Sequence, residues 1–333
     1  MSRTVPLPGS GRITLALLAV VPAVMAYPWR SPREQWVLGI AVALVILLFG
    51  WWGGLHFTTI LRRRSAMMRR SGDPSSEPGR ETGPAARTTA LLRLGPPAGE
   101  QDVLPLPLIS GYLNCYGIRA DAIRITSRTN ASDACQTWIA LTVSAADNLA
   151  ALRARSSRIP LRETTQVAVR RLADHLREIG WEATVSGPDV VPQLLDSAGR
   201  ETWRAVQAGS GYLAAYRVSA DDALPGTLDA ILSQPARETW TALEIAGAGS
   251  SGASHTVAVA CALLTDEPPS AAAPLPGLTP QRGNQRPALA ALDLLSTQRL
   301  DGHTGVPDDL LTRLDWPTPL AGAHRAPLAE ART

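Results

Sequence analysis

The chain has 333 residues, and all 32 of its lysine-plus-arginine positions are arginine. A protein without lysine cannot be a P-loop ATPase, a Schiff-base enzyme or a protein kinase, because each of these uses a lysine in its mechanism. The net charge of +3 combines two unlike parts, since residues 1–72 hold nine arginines and one acid and the remainder holds 23 arginines and 28 acids. The basic part suits an anionic lipid surface, whereas the acidic part argues against binding to nucleic acid.

Two apolar stretches near the N-terminus predict a two-helix transmembrane hairpin. The second, Trp36 to Leu55, has twenty residues without a charge, and at about 1.5 Å per residue such a helix covers the roughly 30 Å core of a bilayer. The first, Ile13 to Trp29, contains Pro22. It is either a second membrane helix or the apolar part of a signal peptide, with Val24-Met25-Ala26 as the cleavage site. The charged residues within 30–34 exclude one continuous span.

A cluster of five arginines after the second stretch predicts the orientation. Because arginine accumulates on the cytoplasmic side, both termini and the main domain are expected in the cytoplasm. His56 to Arg70 can continue as a juxtamembrane helix, either as a topology anchor or as a docking surface. The residues expected to contact the lipid bilayer or a partner are Trp51, Trp52, Phe57, Arg62, Arg63, Arg64, Arg69 and Arg70.

Composition divides the rest of the chain into three parts. Residues 73–102 are rich in Pro, Gly and Ser and predict a flexible linker behind the hairpin and juxtamembrane helix of residues 1–72, because they offer little apolar surface to bury. Residues 103–264 have a globular pattern, and residues 265–333 form a Pro- and Ala-rich extension that is expected to wrap a neighbouring surface.

The globular part predicts a cytosolic α/β (α+β) domain with a mixed sheet, because helices interleave with strands in its first half. One helix opens at Ser144 and runs to Arg155, and a longer one runs from Arg162 to Ile179 with apolar residues at 3.6-residue spacing. The predicted strands are Ala122 to Ser127, Trp138 to Val143, Trp181 to Ser186, Trp203 to Gln207, Tyr212 to Val218, Thr239 to Ile245 and Thr256 to Leu264.

The chain also resembles itself at a distance of about one hundred residues. Ser110 to Asp121 and Ser210 to Asp221 share seven of twelve residues, and each is followed by a Thr-Trp pair, Thr137-Trp138 and Thr239-Trp240. This similarity predicts two related lobes. Chance similarity in an alanine-rich chain is the alternative, and a third pair, Thr202-Trp203, lies outside the register.

One motif has the form of a phosphate-binding loop. Gly247 to Gly252 reads G-x-G-x-x-G, but the residues that follow predict a strand, whereas a dinucleotide site needs a helix N-terminus there. A hairpin loop is therefore the favoured interpretation. A Ser250–His255 nucleophile pair is the alternative, and it lacks a candidate acid to orient the imidazole.

Neither a metal site nor a cofactor site is predicted. The five histidines are scattered along the chain, with His175 expected to face solvent on its helix. Cys115, Cys135 and Cys261 have no C-x-x-C spacing, so we interpret them as small buried residues and not as a zinc site or a disulfide framework. We therefore expect no catalytic residue, no cofactor and no metal.

Four segments of the sequence resemble the EccE family, a membrane subunit of the actinobacterial ESX (type VII) secretion machine. They are Gly54 to Met67 (GLHFTTILRRRSAM), Leu104 to Leu113 (LPLPLISGYL), Ala145 to Leu152 (AADNLAAL) after Trp138, and Gly277 to Gly283 (GLTPQRG). The resemblance covers most of the chain but contains no catalytic signature.

The resemblance implies a non-catalytic structural subunit of a type VII protein secretion complex, and a multi-pass location at the inner (cell) membrane of a bacterium. It also implies the partners EccB, EccD and EccC, of which EccC is the ATPase, in agreement with a chain that has no lysine for a P-loop. The alternative is a membrane-tethered enzyme acting on a nucleotide- or lipid-linked substrate through the Gly247 to Gly252 loop, and a third possibility is a sensor of a cytosolic ligand.

Overall fold

A computed structural model of the chain describes residues 17–18, 20–21, 24–25, 32–49, 51–52, 55–70, 86–97, 103–132, 134–156, 160–187, 191–195, 199–247, 255–305, 307 and 309–319. The chain forms two compact units, Met1–Ser76 and Glu77–Thr333. The predicted signal-peptide cleavage site and most of the first apolar stretch lie outside the described residues.

Among its described residues, the first unit has two helices with defined ends and a two-stranded ribbon, besides short helical pieces at 17–18, 20–21 and 24–25. Helix α1 is Pro32–Phe49, strands β1 and β2 are Trp51–Trp52 and Leu55–His56, and helix α2 is Phe57–Arg70. The strands pair antiparallel, with Trp51 opposite His56 and Trp52 opposite Leu55.

The predicted transmembrane hairpin is wrong. Within the described ranges, none of the helices has both the length and the apolar character needed to cross a bilayer. The apolar stretch from Trp36 to Leu55 is not one helix, because α1 stops at Phe49 and the ribbon follows. The 18 residues of α1 begin with Pro-Arg-Glu-Gln. The apolar portion of this helix is therefore only about 21 Å long at 1.5 Å per residue, whereas the hydrocarbon core of a bilayer is roughly 30 Å thick.

The second unit is built on one large sheet. The strand order is β7-β3-β6-β5-β11-β12-β10-β9-β8, with β4 beside β5, β13 beside β10 and β14 beside β12. The strands are β3 Arg87–Pro97, β4 Asn114–Cys115, β5 Ile118–Asn130, β6 Cys135–Ser144, β7 Trp181–Ser186, β8 Arg200–Glu201, β9 Val206–Ala208, β10 Gly211–Val218, β11 Glu238–Gly247, β12 His255–Thr265, β13 Leu278–Pro280 and β14 Thr304–Gly305. The helices are α3 Leu106–Gly111, α4 Leu149–Arg155, α5 Leu161–Glu178, α6 Leu224–Leu232, α7 Gln285–Leu292 and α8 Leu310–Arg313.

The prediction of a mixed α/β sheet is also wrong, because the strand pairs among the described residues are antiparallel. The reason lies in the connections. Strands β5 and β6 are separated only by residues 131–134 and form a hairpin, whereas parallel neighbours need a crossover of a dozen or more residues.

The strand order contains the same topology twice. In the first half, the chain runs through β3, α3, β5, β6 and then β7. In the sheet, these four strands lie side by side in the order β7-β3-β6-β5. In the second half, the chain runs through β10, α6, β11, β12 and then β13. These four strands lie in the corresponding order β13-β10-β12-β11. The two halves meet where β5 pairs with β11.

The segments that resemble each other in sequence lie in different elements of these two halves. Ser110 to Asp121 runs from the end of α3 through β4 into β5, whereas Ser210 to Asp221 contains β10. Trp138 is in β6 and Trp240 in β11, two strands that flank β5 on either side.

Apolar side chains cover both faces of the sheet. Along β6, Ile139 and Leu141 belong to one buried cluster and Trp138 and Ala140 to the other, as expected for successive residues that point to opposite faces. Helices α3, α5 and α6 and the segment 310–316 contribute to the first cluster, and α7 contributes to the second. Strand β3 lies within the range predicted as a linker, and its buried residues Leu91, Leu92 and Leu94 join these cores.

Candidate functional site

Helix α2 contains the arginine cluster predicted as a contact surface. Arg62 and Arg64 are exposed and Arg63 is half-buried, while Leu61 and Met68 keep 55% and 77% of their surface exposed. Leu61, Arg64 and Met68 are spaced three and four residues apart, so they share one face of the helix. Exposed apolar groups beside arginine, on one helical face, suit a lipid surface or a protein surface.

Other predicted contact residues are described only in their backbone. Trp51 and Trp52 lie in β1, Phe57 is the first residue of α2, and Arg69 and Arg70 are its last two. Their side chains lie outside the described part of the structure. Within α2, the hydroxyl of Ser65 donates a hydrogen bond of 2.9 Å to the carbonyl of Arg62. This hydroxyl is therefore engaged by its own helix.

A buried ion pair at the centre of the sheet was not predicted. Arg124 on β5 and Glu244 on β11 stand opposite each other in the strand register, and their side chains are 6% and 0% exposed. Nε and Nη2 of Arg124 donate to Oε2 of Glu244 at 2.9 and 2.5 Å. The sequence signal is a charged residue within an otherwise apolar strand, as in AIRIT and ALEIA.

The second carboxylate oxygen of Glu244 binds His303. Oε1 lies 2.9 Å from Nε2 of His303 and accepts a 3.2 Å hydrogen bond from the backbone N–H of Leu300. Burial alone would raise the pKa of Glu244, but the hydrogen bond from His303 and the charge and hydrogen bonds of Arg124 outweigh it and hold the pKa below its ordinary value. Glu244 is therefore a carboxylate at neutral pH.

The remaining donors of Arg124 bind backbone carbonyls of one segment. Nη1 donates to Ala291 at 2.6 Å and to Asp293 at 3.2 Å, and Nη2 donates to Gln298. We call residues 291–303 the C-terminal strap. At its other end, Arg299 forms an ion pair of 2.7 Å with Asp121, so the strap is attached to the first half of the sheet by charged side chains.

We call Arg124, Glu244, Thr256 and His303 the Glu244 cluster. It places a hydroxyl, an imidazole and a carboxylate in series, because Oγ1 of Thr256 lies 3.2 Å from Nδ1 of His303. Nucleophilic triads have the same order. In a triad, however, the carboxylate serves the imidazole, whereas Glu244 is shared with the guanidinium of Arg124 and the backbone N–H of Leu300. The contacts of the cluster lead to the protein's own strap, and we assign it a structural role.

The glycine motif occupies a hairpin connection. Strand β11 ends at Gly247, β12 begins at His255, and these two residues pair antiparallel. A strand therefore follows the motif, which confirms the interpretation as a hairpin, whereas a dinucleotide site has a helix there. Ser250 and the rest of residues 248–254 lie outside the described residues, so the Ser250–His255 pair stays a hypothesis.

Two further titratable side chains, His175 and Cys261, are at least partly enclosed by the fold. His175, which was expected to face solvent, is half-buried, and its Nδ1 lies 3.2 Å from the hydroxyl of Tyr112. Cys261 is buried, and burial raises its pKa to about 12, so it is an inert thiol. Across the described ranges, no three His, Cys, Asp or Glu side chains come together in a way that could hold a metal ion.

Comparison with known proteins places the chain in a family. Residues 131–218 match the family described as "Putative type VII ESX secretion system translocon, EccE". The chain is 61% identical to the ESX-3 secretion system protein EccE3 of Mycobacterium tuberculosis (strain CDC 1551 / Oshkosh) over 97% of each chain. It is 51% identical to the protein of the same name from Mycolicibacterium smegmatis, over 90% of this chain and 92% of the relative. The chain therefore belongs to the EccE family of type VII secretion proteins.

Proposed function

We propose that this protein is a non-catalytic structural subunit of a type VII (ESX) protein secretion complex. The observation that carries the proposal is its identity of 61% over 97% of its length with an ESX-3 secretion system protein. Similarity at this level along the whole chain favours the same role in the same kind of assembly.

The internal use of the polar groups supports a role without catalysis. Arg124, Glu244 and His303 form hydrogen bonds with one another and with the backbone of the strap. A catalytic base, in contrast, needs a free lone pair within reach of a substrate proton. We propose on this ground that the second unit works as a rigid body whose surface is used by other subunits.

The partners we propose are EccB, EccD and the ATPase EccC. A chain without lysine has no P-loop of its own, so the energy for secretion comes from another subunit. We further propose that α2 contacts the cytoplasmic face of the inner membrane. Its exposed Arg62 and Arg64 suit anionic headgroups, and Leu61 and Met68 suit the apolar boundary beneath them.

Affinity purification of the full chain tests the proposal. The tagged protein is expressed from its native locus, extracted in mild detergent and purified, and the recovered proteins are identified by mass spectrometry. We expect EccB, EccC and EccD in the eluate and not in that of an untagged strain. Recovery of the tagged chain by itself would contradict the proposal.

A further inference from the structure

The most exposed aromatic side chain described in the second unit stands at the tip of a short hairpin. Strand β4 pairs with the start of β5, with Cys115 opposite Ile118, so only Tyr116 and Gly117 form the turn. Their φ angles are 54° and 69°, and Tyr116 keeps 61% of its surface exposed. A turn with two positive φ angles favours Asn and Gly, and a bulky residue is strained there. The fold therefore gains nothing from this tyrosine in the turn itself.

The base of this hairpin is firmly attached to the domain. Asn148 accepts a 2.7 Å hydrogen bond from the N–H of Arg119 and donates one of 2.7 Å to its carbonyl. The buried Tyr112, which precedes β4, lies 3.3 Å from the carbonyl of Arg171 and 3.2 Å from His175. The exposed ring of Tyr116 is thus held on a rigid base, so little conformational entropy is lost when a partner contacts it.

Two arginines contact Tyr116, one at its ring and one at its backbone. The guanidinium of Arg171, on the exposed side of α5, lies over the ring at 4.3 Å from its centroid. Arg155 donates a 3.4 Å hydrogen bond to the carbonyl of Tyr116. Val167 precedes Arg171 by one helical turn and is 42% exposed. We call Tyr116, Arg155, Val167 and Arg171 the Tyr116 patch.

The geometry of the patch selects for carboxylate. A guanidinium stacked on an aromatic ring is fixed in orientation, and its N–H groups along the edge can bind a carboxylate with two parallel hydrogen bonds. Arg119, on the same hairpin, and Arg153, on the helix that contains Arg155, are also exposed, while Asp174 on α5 is already paired with Arg177 at 2.5 Å. Tyrosine and arginine are the residue types that most often dominate the affinity of protein interfaces.

We propose that the Tyr116 patch is a docking site for an acidic segment of another protein subunit. The inference rests on the proposed function, because it assumes that such subunits surround the chain. An aspartate or glutamate of the partner binds the edge of Arg171, and neighbouring apolar atoms of the partner pack on Tyr116 and Val167.

The substitution Tyr116→Gly separates docking from folding. Glycine adopts a φ of 54° without strain, so the melting temperature of the full chain stays the same or rises, while co-purification of at least one secretion subunit falls by at least about tenfold. Arg171→Ala has the same effect on co-purification. Arg170→Ala is the matched control, since Arg170 is exposed on the same helix but Arg171 is the one over the ring.

Two further measurements test the chemistry of the partner. Arg171→Lys keeps the charge but loses the planar fork, so it should lose most of the co-purified subunit. A photo-crosslinking amino acid at position 116 should label an acidic segment of another subunit. Labelling of lipid, or of a second copy of this chain, would overturn the inference.

Failure of this inference is distinct from failure of the proposed function. If the unmodified chain recovers the secretion subunits and the Tyr116→Gly chain recovers them equally well, only the docking site is wrong. A melting temperature several degrees lower in Tyr116→Gly also overturns it, because the ring would then be part of the fold. If the unmodified chain recovers no subunit, the proposed function itself fails.

Discussion

Arg124 and Glu244 face each other across β5 and β11, where both side chains are withdrawn from water. A buried ion pair adds little net stability over apolar residues of the same size, but the loss of one partner leaves a charge without compensation. Here that charge would be the guanidinium that also binds the carbonyls of Ala291 and Asp293. The ion pair therefore helps to fix the position of the strap on the sheet.

We expect Glu244→Gln to lower the free energy of unfolding by about 3–5 kcal/mol, because Arg124 stays buried without a counter-charge. Urea unfolding of the full chain in detergent, followed by tryptophan fluorescence, measures the change. Glu238→Gln is the matched control: its pair with Arg128 is 26% and 29% exposed, and its loss should cost roughly 1 kcal/mol or less. Equal losses in the two variants would contradict the prediction.

Glu244 should also make the free energy of unfolding depend on pH. Because the pKa of Glu244 is lower in the folded chain than its ordinary value of 4.5, its contribution is fully present above that value and is lost as the pH falls through the folded pKa. The difference in unfolding free energy between the unmodified chain and Glu244→Gln should stay constant from pH 7 to about pH 5 and shrink below about pH 4.5. A difference that is unchanged down to pH 3 would show that Glu244 does not titrate in this way.

This cluster could not be located from the sequence. Arg124 and Glu244 are 120 residues apart, and His303 is 59 residues beyond Glu244. Their meeting depends on the β5–β11 pairing that joins the two halves of the sheet, and no local pattern encodes that pairing. The sequence indicates only that each charged residue interrupts an apolar strand.

At the scale of elements, patterns of short range were predictable and pairings of long range were not. Strand β7 has the predicted bounds, Trp181–Ser186, and α5 spans Leu161–Glu178 where Arg162 to Ile179 was predicted. The direction of pairing was missed, because helices between strands favoured a mixed sheet. Strand β3 was missed because its central leucines stand among Pro and Gly, which dominate the composition of the surrounding window.

Helix α2 is the element for which a lipid contact is proposed, and charge reversal tests it. Each arginine near an anionic surface contributes about 1 kcal/mol, so the double change Arg62→Glu and Arg64→Glu should weaken binding to phosphatidylglycerol vesicles by at least roughly 30-fold. Co-sedimentation with vesicles measures the binding. Binding to vesicles of phosphatidylcholine alone should change little.

The control for α2 is an equal change of charge in the second unit. Arg153→Glu with Arg170→Glu reverses two exposed arginines, one on α4 and one on α5. This variant should bind the anionic vesicles as the unmodified chain does. If both double variants lose the same affinity, net charge and not α2 determines lipid binding.

For the molecule as a whole, the sheet of the second unit depends on residues beyond β12. On one face, Leu289, Leu292, Leu294 and Leu300 are buried in the cluster that contains Trp138 and Trp240. On the other face, Leu310, Leu311, Leu314 and Trp316 are buried with the helices. The extension predicted to wrap a neighbouring surface thus has described residues that cover the sheet of its own unit.

The segment around Trp316 is also tied to the sheet by hydrogen bonds. Nε1 of Trp316 donates to the hydroxyl of Ser127 at 2.9 Å, and the carbonyl of Pro317 accepts hydrogen bonds from Ser127 and Thr137 at 2.6 and 3.0 Å. Ser127 and Thr137 are both buried, so loss of this segment would leave their hydroxyls without these partners.

Truncation after residue 264 should therefore abolish cooperative folding of the second unit. Loss of the strap and of the segment around Trp316 exposes apolar surface on both faces and leaves Arg124 and Glu244 open to water on one side. We expect a broad, non-cooperative urea transition and strong binding of a hydrophobic dye, in contrast to the unmodified chain. A chain that ends at Pro319 keeps these contacts and should unfold with the unmodified midpoint. If the chain ending at residue 264 kept that midpoint, the strands from β3 to β12 would suffice for the fold, and the strap would be an attachment to a sheet that is stable without it.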